Sequence, residues 1–213
     1  MPRRILTALL AAAALWMATA EAAFAHPHVF VTMVSEIVYG PDGGAVGVRH
    51  AWTFDDMFST FATQGLESKV PGQFTKEELA PLAEVNVTSL KEYDYFTYAK
   101  ADGHKAEFKE PVDYWLDYTN QILTLHYFLP FKTPVKAKAL NLEVYDPTYF
   151  VDFTFREKDP VSLAGAPASC KASVASEGNN TSQGQKLSEA FFNDLSATST
   201  WGQQFAKKIS IAC

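Results

Sequence analysis

The chain holds five histidines, and two of them flank one proline, His26-Pro27-His28, just before an alternating apolar run. In an extended chain, residues two apart project to the same side, so both imidazoles can face one ion. Imidazole nitrogen suits Zn, Ni, Co or Cu. If the mature chain begins at His26, its α-amine and ring Nδ1 close a small chelate. That amine has an ordinary pKa of about 7.7 to 8.0, so a metal displaces its proton readily near neutrality. Pro27 has no amide hydrogen. This closes the square-planar mode in which a third-position histidine holds Cu(II) or Ni(II) through deprotonated backbone amides. Without the cut, two histidines at a strand start read as solvated or hydrogen-bonded side chains.

The first 25 residues supply that cut. Arg3 and Arg4 form a basic start, Ile5 to Ala18 an apolar stretch, and Ala23-Phe24-Ala25 the small residues of a cleavage site. A competing site after Ala18-Thr19-Ala20 would leave Glu21 first. No later run reaches the roughly 20 apolar residues of a spanning helix. The expectation is an exported, periplasmic protein with no membrane span once residues 1–25 are removed. Their loss moves the formal charge from −6 to −7. An acidic chain without a basic stripe excludes a nucleic-acid partner. Cys170 and Cys213 are the only cysteines, with no CxxC spacing, and an even pair in an exported protein reads as one disulfide.

The elements that must position the histidines begin with a hairpin. Val29, Val31, Met33, Ile37 and Tyr39 share one strand face, Gly40 to Gly44 turns, and Val46, Val48, His50, Trp52 and Phe54 share the next apolar face. For those faces to coincide, odd residues must oppose even ones. A four-residue loop, Gly40 to Gly43, pairs Val31 with Trp52 and Met33 with His50. His28 then lies across from Asp55, beside Asp56; a shift of two puts Met57 there instead. A His, His, Asp and amine set would make a four-ligand site. His50 falls on the apolar face as a core histidine, His104 follows a turn at the surface, and His126 belongs to a strand. Asp146, before Pro147, is first of all a turn former.

Thr75-Lys76-Glu77-Glu78 has the form of a capping box, opening a helix with Leu79, Leu82, Ala83 and Leu90. Strands are expected over Tyr93–Ala99, His104–Phe108, Tyr114–Tyr118, Gln121–Phe128, Leu140–Tyr145 and Tyr149–Phe155. Residues 176 to 185 read as a polar linker. Leu187, Phe191 and Leu195 then recur every four residues, as in a helix capped by Ser182 and Gln185. The fold class expected is α+β and β-rich: an antiparallel sheet or sandwich over residues 26–175 with one inserted helix. Residues 176–213 form a linker and a helical tail docked on it.

Four stretches, HPHVFV, HAWTFDDMFS, YDPTYFVDF and GQQFAKKISIAC, resemble bacterial exported proteins grouped as domain of unknown function 1007. These are often described as the periplasmic component of an uncharacterised ABC-type transport system. The resemblance implies a periplasmic location and an association with nickel, cobalt or zinc transport, with no established catalytic residue. It carries His26, His28, Asp55, Asp56 and Asp146 over as candidate metal ligands. There is no long His-rich loop of the kind that stores metal.

Three functions follow as expectations. The first is a non-enzymatic carrier or accessory protein that binds a divalent transition metal and serves a membrane transporter subunit. The second is a copper-dependent oxidative enzyme or copper chaperone built on the N-terminal histidine, with Trp52, Trp115 and Tyr118 as its aromatic face. The third is a metal-free interaction module. The sequence sets no oligomeric state.

Overall fold

The computed structural model describes residues 27–175, 192, 194–196 and 198–213. The expected signal peptide, His26 and the helix formers Ser182, Gln185, Leu187 and Phe191 lie outside the described residues. Alternation makes β1 (Val29–Tyr39) and β2 (Ala45–Phe54) an antiparallel hairpin, as expected. Val29, Val31, Met33 and Ile37 are buried from one strand, and Val48, His50, Trp52 and Phe54 from the other. The register differs by two residues: Val31 pairs with Phe54, Met33 with Trp52 and Ser35 with His50. The turn takes five residues, with Gly40 N–H donating to the Gly44 carbonyl at 2.8 Å. Val46 is then bulged, because Tyr39 pairs with Ala45 and Val38 with Gly47. Two extra residues preserve the parity of the faces, but Phe30 rather than His28 now stands beside Asp55.

Asp55 caps a helix the sequence reading did not anticipate, α1 (Asp56–Thr63). Ser59, buried in it, donates to the Asp55 carbonyl and accepts from Leu123 N–H, fastening the helix to the sheet. The expected helix is α2 (Lys76–Leu90), and both halves of the Thr75–Glu78 capping box are present. In place of a strand starting at Tyr93, a 3₁₀ turn runs Lys91–Phe96. It ends with Asp94, Tyr95 and Phe96 at φ of 51°, 55° and 49°.

The remaining strands are β3 (Thr97–Ala101), β4 (His104–Ala106), β5 (Val112–Thr119), β6 (Ile122–Val135), β7 (Ala139–Val144), β8 (Val151–Phe155), β9 (Val161–Ala164), β10 (Lys171–Val174) and β11 (Lys207–Ala212). They form two sheets. The first has the order β5-β6-β2-β1-β8, with β9 also on β1, and it is mixed, since β8 and β9 run parallel to β1. The second, β10-β11-β7-β3-β4, is antiparallel throughout. The fold is therefore α+β and strand-rich, with two helices rather than one among the described residues.

The expected C-terminal helical tail is corrected: the chain ends as strand β11. In Lys207-Lys208-Ile209-Ser210-Ile211 the apolar residues recur every second position, and Ile209 and Ile211 are buried. The Cys170–Cys213 disulfide is present, joining the residues that flank the β10–β11 pair. One face of the first sheet is covered in two parts. Val29, Val31 and Met33 pack with Leu79, Ala83 and Val87 of α2, while Ile37 and Val48 pack with Leu140, Leu142, Ile209 and Ile211 of the second sheet. Among the described residues no helix is long and apolar enough to cross a membrane.

Candidate functional site

The four stretches singled out in the sequence converge on one end of β1. Asp55, from the second, latches the strand start: its N–H donates to the Phe30 carbonyl at 2.9 Å, and its Oδ2 accepts from Phe30 N–H at 2.7 Å. Its other oxygen, Oδ1, accepts from Phe58 N–H at 2.7 Å as the cap of α1. Both oxygens are thus committed to backbone donors. Asp56 is exposed, with Oδ1 accepting from Met57 N–H.

Asp146, from the third stretch, is 3% exposed. Its Oδ1 accepts from Thr148 N–H and Thr148 Oγ1, each at 2.8 Å, and its Oδ2 from Phe150 N–H and Val151 N–H, each at 3.0 Å. Four donors around one buried carboxylate fold residues 146–151 into a loop. That loop presents the Phe150 carbonyl to the N–H groups of His28 and Val29, at 2.9 and 3.2 Å. His28 itself is exposed, and its ring lies 4.7 Å from that of Phe150.

The fourth stretch closes the group. Gly202 N–H donates to the Pro147 carbonyl at 3.0 Å, and Phe205 stacks on Tyr149 at 3.9 Å. Burial, helped by the charge of Asp152, pushes the Tyr149 hydroxyl up to about 12. Beside the loop opens a cleft of about 340 Å³ lined by His28, Tyr93, Phe96, Asp146, Phe150 and Phe192, among others. Burial raises the Tyr93 hydroxyl pKa, and the charges of Glu92 and Asp146 add to the rise. Tyr93, Phe96 and Phe150 were not singled out by the sequence reading. The aromatic pair inside DPTYF was the signal for Phe150; nothing local marks the left-handed turn that delivers Phe96.

Of the candidate ligands, His28 and Asp146 thus share a cleft, while Asp55 and Asp56 belong to the start of α1. Among the described residues no three His, Cys, Asp or Glu side chains come together as a metal-holding group. His26, the remaining candidate, lies outside the described residues. His50 is fully buried, with Nδ1 3.0 Å from Ser35 Oγ and Nε2 3.4 Å from Thr97 Oγ1, and burial lowers its pKa to about 3. It is a neutral core histidine. His104 is exposed in β4, and His126 of β6 pairs with Asp117 at 2.7 Å.

The aromatic face considered for an oxidative enzyme is not assembled by the three residues named for it. Trp52 is buried, and Tyr118 is half-buried against Phe74. Trp115 is stacked on His126 at 4.6 Å, with Lys76 Nζ 4.3 Å from its ring centre.

A family model described as "Protein of unknown function (DUF1007)" matches residues 11–213. An uncharacterized protein of Haemophilus influenzae is 23% identical over 193 residues, covering 89% of this chain and 91% of that protein.

Proposed function

Because the chain belongs to the DUF1007 family, whose function is unknown, we propose from its own residues that it is an exported transition-metal-binding accessory protein. It works in the periplasm, takes a divalent ion (Zn, Ni, Co or Cu) as cargo at its mature N-terminus, and hands the ion to a membrane transporter subunit. The observation that carries this reading is the placing of His28. Its backbone is held by the Phe150 carbonyl, and its side chain is exposed at the cleft, two residues after His26.

A chain beginning at His26 would add an amine and an imidazole two residues before His28, three nitrogen donors in all with the His28 ring. Asp55 and Asp146 hold backbone donors instead, so they are not assigned as ligands. A site of three nitrogens leaves a coordination position for water or for a ligand of the receiving subunit, which suits transfer better than storage. The disulfide supports an oxidising compartment. Phe30, Met57 and Phe61, exposed by 48, 68 and 74%, supply apolar surface at the Asp55 latch and on α1 for a membrane partner.

Equilibrium dialysis of the exported protein against Zn²⁺, beside a His26→Ala/His28→Ala variant, tests the reading, with intact mass reporting the first residue. One ion per chain is expected, with loss of at least about tenfold in affinity in the variant, as removal of two nitrogen donors implies. Equal binding by both proteins rejects it.

A further inference from the structure

The cleft beside His28 carries a second chemistry that metal capture leaves unused. Its lining is dominated by aromatic rings: Tyr93 and Phe96 from the turn after α2, Phe150 from the Asp146 loop, and Phe192. Among the described residues that line it there is no lysine or arginine. Asp146 lines the cleft as well, buried, with both carboxylate oxygens already accepting hydrogen bonds. Asp146 therefore contributes charge to the cleft without offering an open lone pair to a ligand.

The carboxylates that act on three phenols of this region all push in one direction. Tyr93 senses the charges of Glu92 and Asp146, Tyr98 those of Asp94 and Asp146, and Tyr149 that of Asp152; all of them raise the pKa of the phenol. Negative potential together with aromatic walls selects among cations. A bare hard ion needs several oxygen ligands to replace its hydration shell, and rings cannot supply them. A cation whose charge is spread over methyl or methylene groups sheds water cheaply and is attracted to ring faces. The volume, about 340 Å³, lies at the lower end of the range for small-molecule clefts.

We propose that this cleft binds a small organic cation of the alkylammonium class, seated among Tyr93, Phe96, Phe150 and Phe192 with buried Asp146 as the counter-charge. The cation would use ring faces of the cleft rather than the histidine nitrogens at its edge, so the proposal draws on different atoms from the metal reading.

Choline is a suitable probe, because 3,3-dimethyl-1-butanol has the same shape without the charge. Titration of the exported full chain, followed by calorimetry and by NMR shifts of the aromatic side chains, should give one choline site. The neutral isostere should bind about tenfold more weakly, the ratio expected of a desolvated cation–π contact. Phe150→Leu and Tyr93→Leu, which keep apolar bulk, should each weaken choline several-fold without changing its neutral analogue. Equal binding of choline and its isostere overturns the proposal, as does no choline binding at millimolar concentration. The isostere comparison is made on the unmodified protein and survives any variant that fails to fold. Zinc dialysis on the same sample reports the metal reading separately: zinc binding without choline binding sinks only the cleft proposal.

Discussion

Gly202 packs directly on Asp146: a Cβ at position 202 would stand 1.8 Å from the Asp146 carbonyl oxygen and 2.9 Å from the Pro147 carbonyl carbon. The contact is backbone against backbone, so no side chain can swing aside. It joins the last 3₁₀ turn, Trp201–Phe205, to the loop that holds His28. Gly202→Ala must move one of the two segments. We expect a loss of at least about 1–3 kcal/mol in denaturant melts, the usual cost of overpacking, together with weaker metal and choline binding. An unchanged midpoint would show that the contact is not needed.

The hairpin, α2, the disulfide and the core role of His50 were legible in the sequence, because each rests on a local pattern or a short inventory. The register was legible only as the alternative shift of two: it depends on one bulged residue, Val46, and on a turn one residue longer than the four-residue loop expected. The parallel pairing of β8 and β9 with β1 is non-local and leaves no periodic trace. The C-terminal strand was hidden because the spacing of Leu187, Phe191 and Leu195 suggested a helix running on to the end. The period of two begins only at Lys207.

At the candidate site, residue types were readable while roles were not. A carboxylate beside a histidine has the same appearance in sequence whether it meets a cation or a set of backbone N–H groups. Asp55 and Asp146 have met N–H groups. Only the fold decides which, because the donors come from residues 25 positions away in one case and from a tight loop in the other.

The Asp55 latch gives a second prediction. Asp55→Ala removes the cap of α1 and the bond to Phe30 N–H together. Stability should fall by about 1–3 kcal/mol, a lost cap plus a charged hydrogen bond, as read by urea melts. Zinc stoichiometry should stay unchanged, since the proposed ligands are nitrogens. A loss of zinc binding in a folded Asp55→Ala protein would return this carboxylate to the ligand set.

His50 supplies a pH prediction whose sign is fixed by burial. In the folded chain its pKa is lowered from 6.5 to about 3, because the imidazolium would lie in the core against Ser35, Thr97, Trp52 and Tyr127. The unfolded chain takes up a proton near pH 6.5 and the folded chain does not. Stability from this group is therefore complete above pH 6.5 and is lost as the pH falls from there towards 3. The slope approaches about 1.4 kcal/mol per pH unit. Between pH 6.5 and 5 this loss precedes that of the carboxylates Asp42, Glu78 and Glu107, whose pKa values lie below the ordinary range. Guanidinium melts at pH 7.5, 6.0 and 5.0 should show falling stability in the unmodified protein and a shallower fall in His50→Gln. Parallel curves would mean that His50 takes up its proton in the folded state as readily as in the unfolded chain.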